Sequence, residues 1–95
     1  MRFEWDPAKA STNVDLHGVT FEEATTVFGD ALARTIYDPE HSESEHRFVT
    51  IGRSESQTLL VVVHTERGEA IRIISARRGS RREKKSYEAA EEDDR

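Results

Sequence analysis

Residues 58–64 read TLLVVVH, and the LLVVV at their centre puts bulky apolar side chains on both sides of a strand's alternation. A strand that is apolar on both faces has to be covered on both, so this run belongs in the middle of a sheet. Only 35% of the 95 residues are apolar and 35% are charged. The core around that strand is therefore modest, and the domain is expected to be marginal in stability or to lean on a partner.

The sequence on either side of it also alternates. Arg47 to Arg53 reads as a strand with Val49 and Ile51 on one face and Phe48 on the other. Ser54-Glu55-Ser56 is a turn, Arg67-Gly68 is a tight turn, and Ala70 to Ala76 reads as the last strand. Leu32 to Tyr37 is a further strand, joined to Arg47 by a polar loop, DPEHSESEH. Arg2 to Trp5 is a short strand at the start.

Ahead of this block the period is helical. Asp6-Pro7 is a helix start, with Asp6 as the cap and Pro7 at the first position, where its missing N–H is not needed. Ala8, Ala10, Val14 and Leu16 give that helix a thin apolar face, and Gly18 ends it. Thr20 with Glu23 fits a capping box, so a second helix follows over about Phe21 to Phe28. Ser80 with Glu83 repeats the signal for a last helix to about Ala90.

Consecutive strands with tight turns are usually antiparallel. The expected fold is α+β: a small antiparallel sheet covered by an N-terminal helical hairpin, with a C-terminal helix. Residues 1–90 make a single domain, and the acidic tail at 91–95 is expected to fray. With no Cys, disulfides, thiolate metal sites and Cys nucleophiles are excluded. No apolar run is long enough for a membrane span, and MRFEWDPAK lacks a signal peptide's apolar region. A cytoplasmic protein is expected.

Charge is distributed unevenly. Between Arg67 and Lys85 eight cations face two acids, a net of +6 in a chain of net −5, which leaves −11 for the remainder. Such asymmetry implies an anionic partner for the basic part. Strand alternation puts Ile71, Ile73 and Ser75 on one face and Arg72, Ile74 and Ala76 on the other. In the last helix Arg81, Lys84 and Lys85 share a side at i, i+3, i+4. Arg77, Arg78 and Arg81 are thus expected to meet in a patch at the end of the sheet. Guanidinium groups bind phosphate through bidentate hydrogen bonds, and Ser80 with the free amides of the helix start adds a phosphate seat. The plainer reading is a solvated helix face after an edge strand.

Tyr87 has two readings as well: stacking or proton donation beside Arg, or packing on the sheet with its hydroxyl at the rim. The four His are scattered. His17 precedes Gly18 at a helix end, His41 and His46 bracket the acidic loop, and His64 ends the central strand. No pair has metal-site spacing, so no metal or other cofactor is expected. RNA cleavage by transesterification needs a base, a phosphate holder and an acid. His46 or His64 is a possible base. No Gly-x-Ser-x-Gly, phosphate-loop or dinucleotide glycine pattern occurs.

FEWDPAKASTNVDLHGVTFEEA, ERGEAIRIISAR and SRREKKSY, in that order, resemble the BrnT toxins of bacterial type II toxin–antitoxin systems, from about Phe3 to Tyr87. The family is similar in fold to RelE-type ribonucleases. The resemblance implies metal-independent endoribonuclease activity that inhibits translation. It also implies a cognate BrnA-like antitoxin that neutralises the toxin, and operator DNA binding only through the complex. Matching positions are Lys9, Asn13, His17, Arg72, Ser75, Arg77, Arg81 and Tyr87. The resemblance favours Arg77, Arg81 and Tyr87 as catalytic, with Arg72, Arg78, Ser80, Lys84 and Lys85 holding RNA phosphate. The segment before His17 is NVDL, where many relatives place a basic residue next to the His, and Asp15 makes that stretch less basic. The alternative is a non-catalytic nucleic-acid or antitoxin-binding module, either a degenerate toxin or a co-repressor.

Overall fold

The computed structural model describes residues 1–39 and 45–93. Their order is β1 (Arg2–Glu4), α1 (Pro7–His17), α2 (Phe21–Thr26) running into a 3-10 turn (Val27–Gly29), β2 (Arg34–Asp38), β3 (Arg47–Arg53), β4 (Leu59–Arg67), β5 (Ala70–Arg78) and α3 (Arg81–Asp93). The strands form one five-stranded sheet in the order β1-β5-β4-β3-β2. The α+β architecture is as expected, and β2 to β5 pair antiparallel. The sheet is mixed at one edge, however, because β1 lies parallel to β5. The helical pair separates β1 from the rest of the sheet, so no hairpin turn constrains its direction.

The helix ends form as their sequences dictate. Asp6 Oδ1 accepts the Ala8 N–H at 2.8 Å, and Gly18 takes a left-handed φ of 66° after α1. Ser80 and Glu83 close a reciprocal capping box on α3. At α2 the box is only half made. Thr20 Oγ1 accepts the Glu23 N–H, but Glu23 Oε2 accepts instead from the Ser54 and Ser56 hydroxyls, at 2.7 and 2.8 Å. That diversion ties α2 to the β3–β4 turn. Helix α3 extends to Asp93, past Ala90, while 94–95 and His41 lie outside the described residues. No helix among the described residues is long and apolar enough to cross a membrane.

Strand β4 is central and covered on both faces, with Leu59, Leu60, Val61 and Val62 all buried. Leu60 and Val62 meet Ile73 and Ala76 of β5 and Val19, Phe21, Ala24 and Val27 of the α2 region. Leu59 lies on the other face, beneath Gly79, where a Cβ would stand 2.8 Å from Leu59 Cδ2. A side chain at Gly79 would force Leu59 to shift where the chain turns from β5 into α3.

Helix α1 holds on differently from the sequence expectation. Val14 and Leu16 are exposed, and of its apolar stripe Ala10 alone packs against the core. Asn13 is its buried residue, and the Asn13 amide bonds Val19 O, Ala76 O and Ala76 N–H at 2.9, 2.8 and 3.1 Å. One side chain thus stands in for a neighbouring strand along the stretch of β5 that β1 is too short to reach.

Pairing between β4 and β5 slips by one residue: Val63 faces Ser75 while His64 faces Ile73, leaving Ile74 as a bulge. The bulge corrects the expected alternation. Ile73 and Ala76 both face the helices. Regular pairing also continues past Ala76 to Arg78, with Val61 opposite Arg77 and Leu60 opposite Arg78. Two consecutive residues of one strand point to opposite faces, so Arg77 and Arg78 leave β5 on opposite sides of the sheet.

Candidate nucleic-acid interface

The three Arg expected in one patch are divided. Arg77 Nη1 and Nη2 donate to the two carboxylate oxygens of Glu83 at 2.8 and 3.0 Å, and Nη1 also donates to Arg78 O. That bidentate bond holds the Glu83 carboxyl at about 2 and raises Arg77 further. Glu83 Oε1 also accepts the Ser80 N–H, and the Ser80 hydroxyl accepts the Glu83 N–H. The donors expected to seat a phosphate at Arg77 and Ser80 are therefore already occupied within the helix cap. Arg72 is away from the group. It lies six residues along β5 from Arg78, roughly 20 Å at about 3.3 Å per residue, and pairs with Glu4 at 3.3 Å.

Tyr87 does not join them either. Its side chain is 2% exposed, and its hydroxyl donates to Asp30 Oδ2 at 2.5 Å. Burial, reinforced by the Asp30 carboxylate, pushes the phenol up to about 12. Burial works to raise Asp30 itself, but the Tyr87 hydroxyl and the N–H groups of Arg53 and Leu32 outweigh it and hold Asp30 low. Arg53 lies over the Tyr87 ring, 5.1 Å from its centre. Tyr87→Phe should cost about 2 kcal/mol in denaturant unfolding, since it removes a hydrogen bond to a charged group. The Tyr87 bond stabilises the fold below pH 10 and is lost as pH rises toward 12, so the variant should also lose that alkaline limb.

What the structure does bring together is Arg78 and Lys84. They line a hollow of about 210 Å³ with Arg53, Gln57, Thr58, Leu59 and Gly79. The antiparallel β4–β5 pair sets the end of β5 beside the start of β4, and hence beside the Ser54–Thr58 turn. Gln57 has a left-handed φ of 65° in that turn. Sequence reasoning missed Arg53, Gln57 and Thr58 as neighbours of the basic run, although the hairpin order it predicted contained that proximity. Arg53 is already paired, with Glu91 at 3.4 Å and Glu88 at 3.8 Å. Arg78, Arg81, Arg82, Lys84 and Lys85 make no ion pair with any described residue. By helical spacing, Arg81 and Lys85 continue the side of α3 that carries Lys84.

Two of the His are engaged elsewhere. His64 is buried, with Nε2 at 2.7 Å from Thr50 Oγ1 and its ring between Phe28 and Phe48. His46 lies against Tyr37, 3.1 Å from its hydroxyl. His17 borders a shallow groove of about 280 Å³ between α1 and β5, together with Lys9, Asn13 and Ser75. Arg78 Nη1 donates to His17 O at 3.4 Å. No group of three or more His, Asp or Glu among the described residues is placed to hold a metal ion.

A family model described as the ribonuclease toxin BrnT of type II toxin–antitoxin systems matches residues 5–83. The chain belongs to the BrnT toxin family. A crystal structure of the Brucella abortus ribonuclease toxin BrnT aligns over 85% of this chain and 99% of that one, with TM-score 0.63 and 25% identity. A search of curated proteins returned no match. The matched span ends in the first turn of α3, so it includes Arg77, Arg78 and Arg81 but stops short of Lys84, Lys85 and Tyr87.

Proposed function

We propose that this chain is an endoribonuclease toxin that inhibits translation by cutting RNA, without a metal ion, and is neutralised by a cognate BrnA-like antitoxin. Its place of action is the cytoplasm, and it reaches operator DNA only within the antitoxin complex. The observation that carries this reading is the set of cations at the end of β5 and the start of α3, Arg77 apart, that make no ion pair with a described residue. Arg78, Arg81, Lys84 and Lys85 bind the RNA backbone there, and the Arg78–Lys84 hollow takes one phosphate. Arg81 stabilises charge on the scissile phosphate. Arg77 acts through Glu83, fixing the start of α3 and so the direction of the helix's cations. Tyr87 anchors the same helix from below.

Arg78→Ala and Lys84→Ala should each lower kcat/KM on purified RNA by about 10- to 100-fold, the worth of one charge-assisted contact. Each should also relieve growth arrest while the unfolding midpoint stays within error. Full activity in both variants would place the phosphate elsewhere. A second reading, binding without cleavage, draws support from the engagement of Arg77 by Glu83 and the burial of the Tyr87 hydroxyl. It requires intact RNA at every protein concentration, together with partner affinity that falls when Arg78 is lost.

A further inference from the structure

Strand β1 pairs only with Ala70, Ile71 and Arg72 of β5. Beyond Arg72 the outer edge of β5 faces α1 instead, and the two enclose the groove lined by Lys9, Thr12, Leu16, His17, Ile74 and Ser75 over the buried Asn13. The bulge turns Ile74 out of the strand's alternation. Opposite it Leu16 is 71% exposed, an unusual degree for a large apolar residue that the core does not use. Lys9 lies on the same side of α1 as Leu16 by helical spacing and His17 directly follows it, and neither side chain makes an ion pair with a described residue. At about 280 Å³ the groove is at the lower limit of ligand clefts, near 300 Å³, so it suits a single nucleotide. It is also adjacent to the basic cluster, because Arg78 reaches His17 O from the hollow it shares with Lys84.

We propose that this groove seats the nucleotide on the 5′ side of the scissile phosphate, and that His17 takes its 2′-hydroxyl proton. This rests on the ribonuclease reading above. The base lies against Leu16 and Ile74, and Arg78 holds the phosphate that follows. The 2′-oxygen forms a bond to phosphorus as the bond from phosphorus to the next 5′-oxygen breaks. The 2′ proton passes to the His17 imidazole and the leaving oxygen takes a proton from water. The products are a 2′,3′-cyclic phosphate and a 5′-hydroxyl.

The test sets Leu16→Glu against Val14→Glu in the full chain. Both put the same charge on exposed positions of the same helix, but Val14 lies away from the groove. The binding probe is a short single-stranded oligonucleotide with 2′-deoxyribose, which cannot be cleaved by this route. Leu16→Glu should weaken its binding about tenfold or more, because it removes an apolar contact and sets a carboxylate beside the phosphate backbone, and raise KM on the ribonucleotide. Val14→Glu should leave both within about threefold. His17→Ala should lower kcat about 100-fold, the lower end for a general base, while weakening probe binding less than Leu16→Glu does. Equal effects of the two Glu substitutions would overturn the seat, and an unchanged kcat in His17→Ala would overturn the base. If the unmodified protein cleaves no RNA, the ribonuclease reading and the His17 role fall together, while the contrast in probe binding still decides the seat.

Discussion

Replacing Asn13 with Leu is expected to remove a large part of the protein's folding stability. The Asn13 amide alone satisfies Val19 O, Ala76 O and the Ala76 N–H in a buried position. A Leu fills the same space and leaves all three backbone groups without partners. Each unsatisfied buried group costs about 1–3 kcal/mol, so the three together should cost about 3–9 kcal/mol. A domain of this size has a total of about 5–15 kcal/mol, and this one has a small core. Asn13→Asp separates the contributions. It retains an acceptor for the Ala76 N–H, gives up both donors and buries a charge, so it should be no better than Leu at neutral pH. The check is a pair of denaturant curves. Unfolding free energies within about 0.5 kcal/mol of the parent protein, the range of an ordinary surface substitution, would show that α1 is held by something other than Asn13.

The same residue marks where the sequence is legible and where it is not. Local rules suffice for the elements themselves. Asp6, Thr20 and Ser80 sit where their capping oxygens predict, and β3 spans the stretch that alternation gives, Arg47–Arg53. TLLVVVH is central because nothing else satisfies a strand apolar on both faces. What fails are inferences that need partners distant in the chain. The bulge at Ile74 exists only in the register between β4 and β5, yet it sets the face of every residue after it. Arg77 and Arg78 look equivalent in RRGSRR, but one meets Glu83 and the other reaches His17 O. Tyr87 is likewise taken out of the basic surface by Asp30, a residue 57 positions earlier. Leu16 reads as core by helical spacing and is exposed because Asn13, not an apolar stripe, faces the sheet.

Those non-local contacts act together at the start of α3. Asp30 accepts from Leu32, Arg53 and Tyr87, linking the end of the α2 turn, the end of β3 and the buried side of α3. Glu83 fixes the helix start from the opposite face of the sheet through Arg77. Two carboxylates of an acidic chain thus hold the helix that carries Arg81, Arg82, Lys84 and Lys85, which make no ion pair with a described residue. The acidic surplus elsewhere keeps any RNA contact local and salt-sensitive.

Acidification should destabilise the fold well before the carboxylates titrate, and His64 is the reason. Burial depresses its imidazole from 6.5 to about 4. Its neighbours are the Thr50 hydroxyl and the rings of Phe28 and Phe48, none of which stabilises a cation strongly enough to offset the burial. The folded pKa is below the unfolded one, so the unfolded chain binds the proton first. Stability is therefore full above pH 6.5 and declines as pH falls toward 4, by about 3 kcal/mol at 1.36 kcal/mol per unit. Glu83 extends the decline, because its ion pair with Arg77 is lost between its ordinary pKa of 4.5 and about 2. His64→Phe should abolish the first limb and keep the second, at a cost to stability at neutral pH from the Thr50 hydroxyl it leaves with one fewer partner. The measurement is the unfolding free energy from pH 7.5 to 3.5 for both proteins. Parallel curves between pH 6.5 and 4 would mean that His64 takes up its proton equally in the folded and unfolded chains, and that it is not the source of the decline.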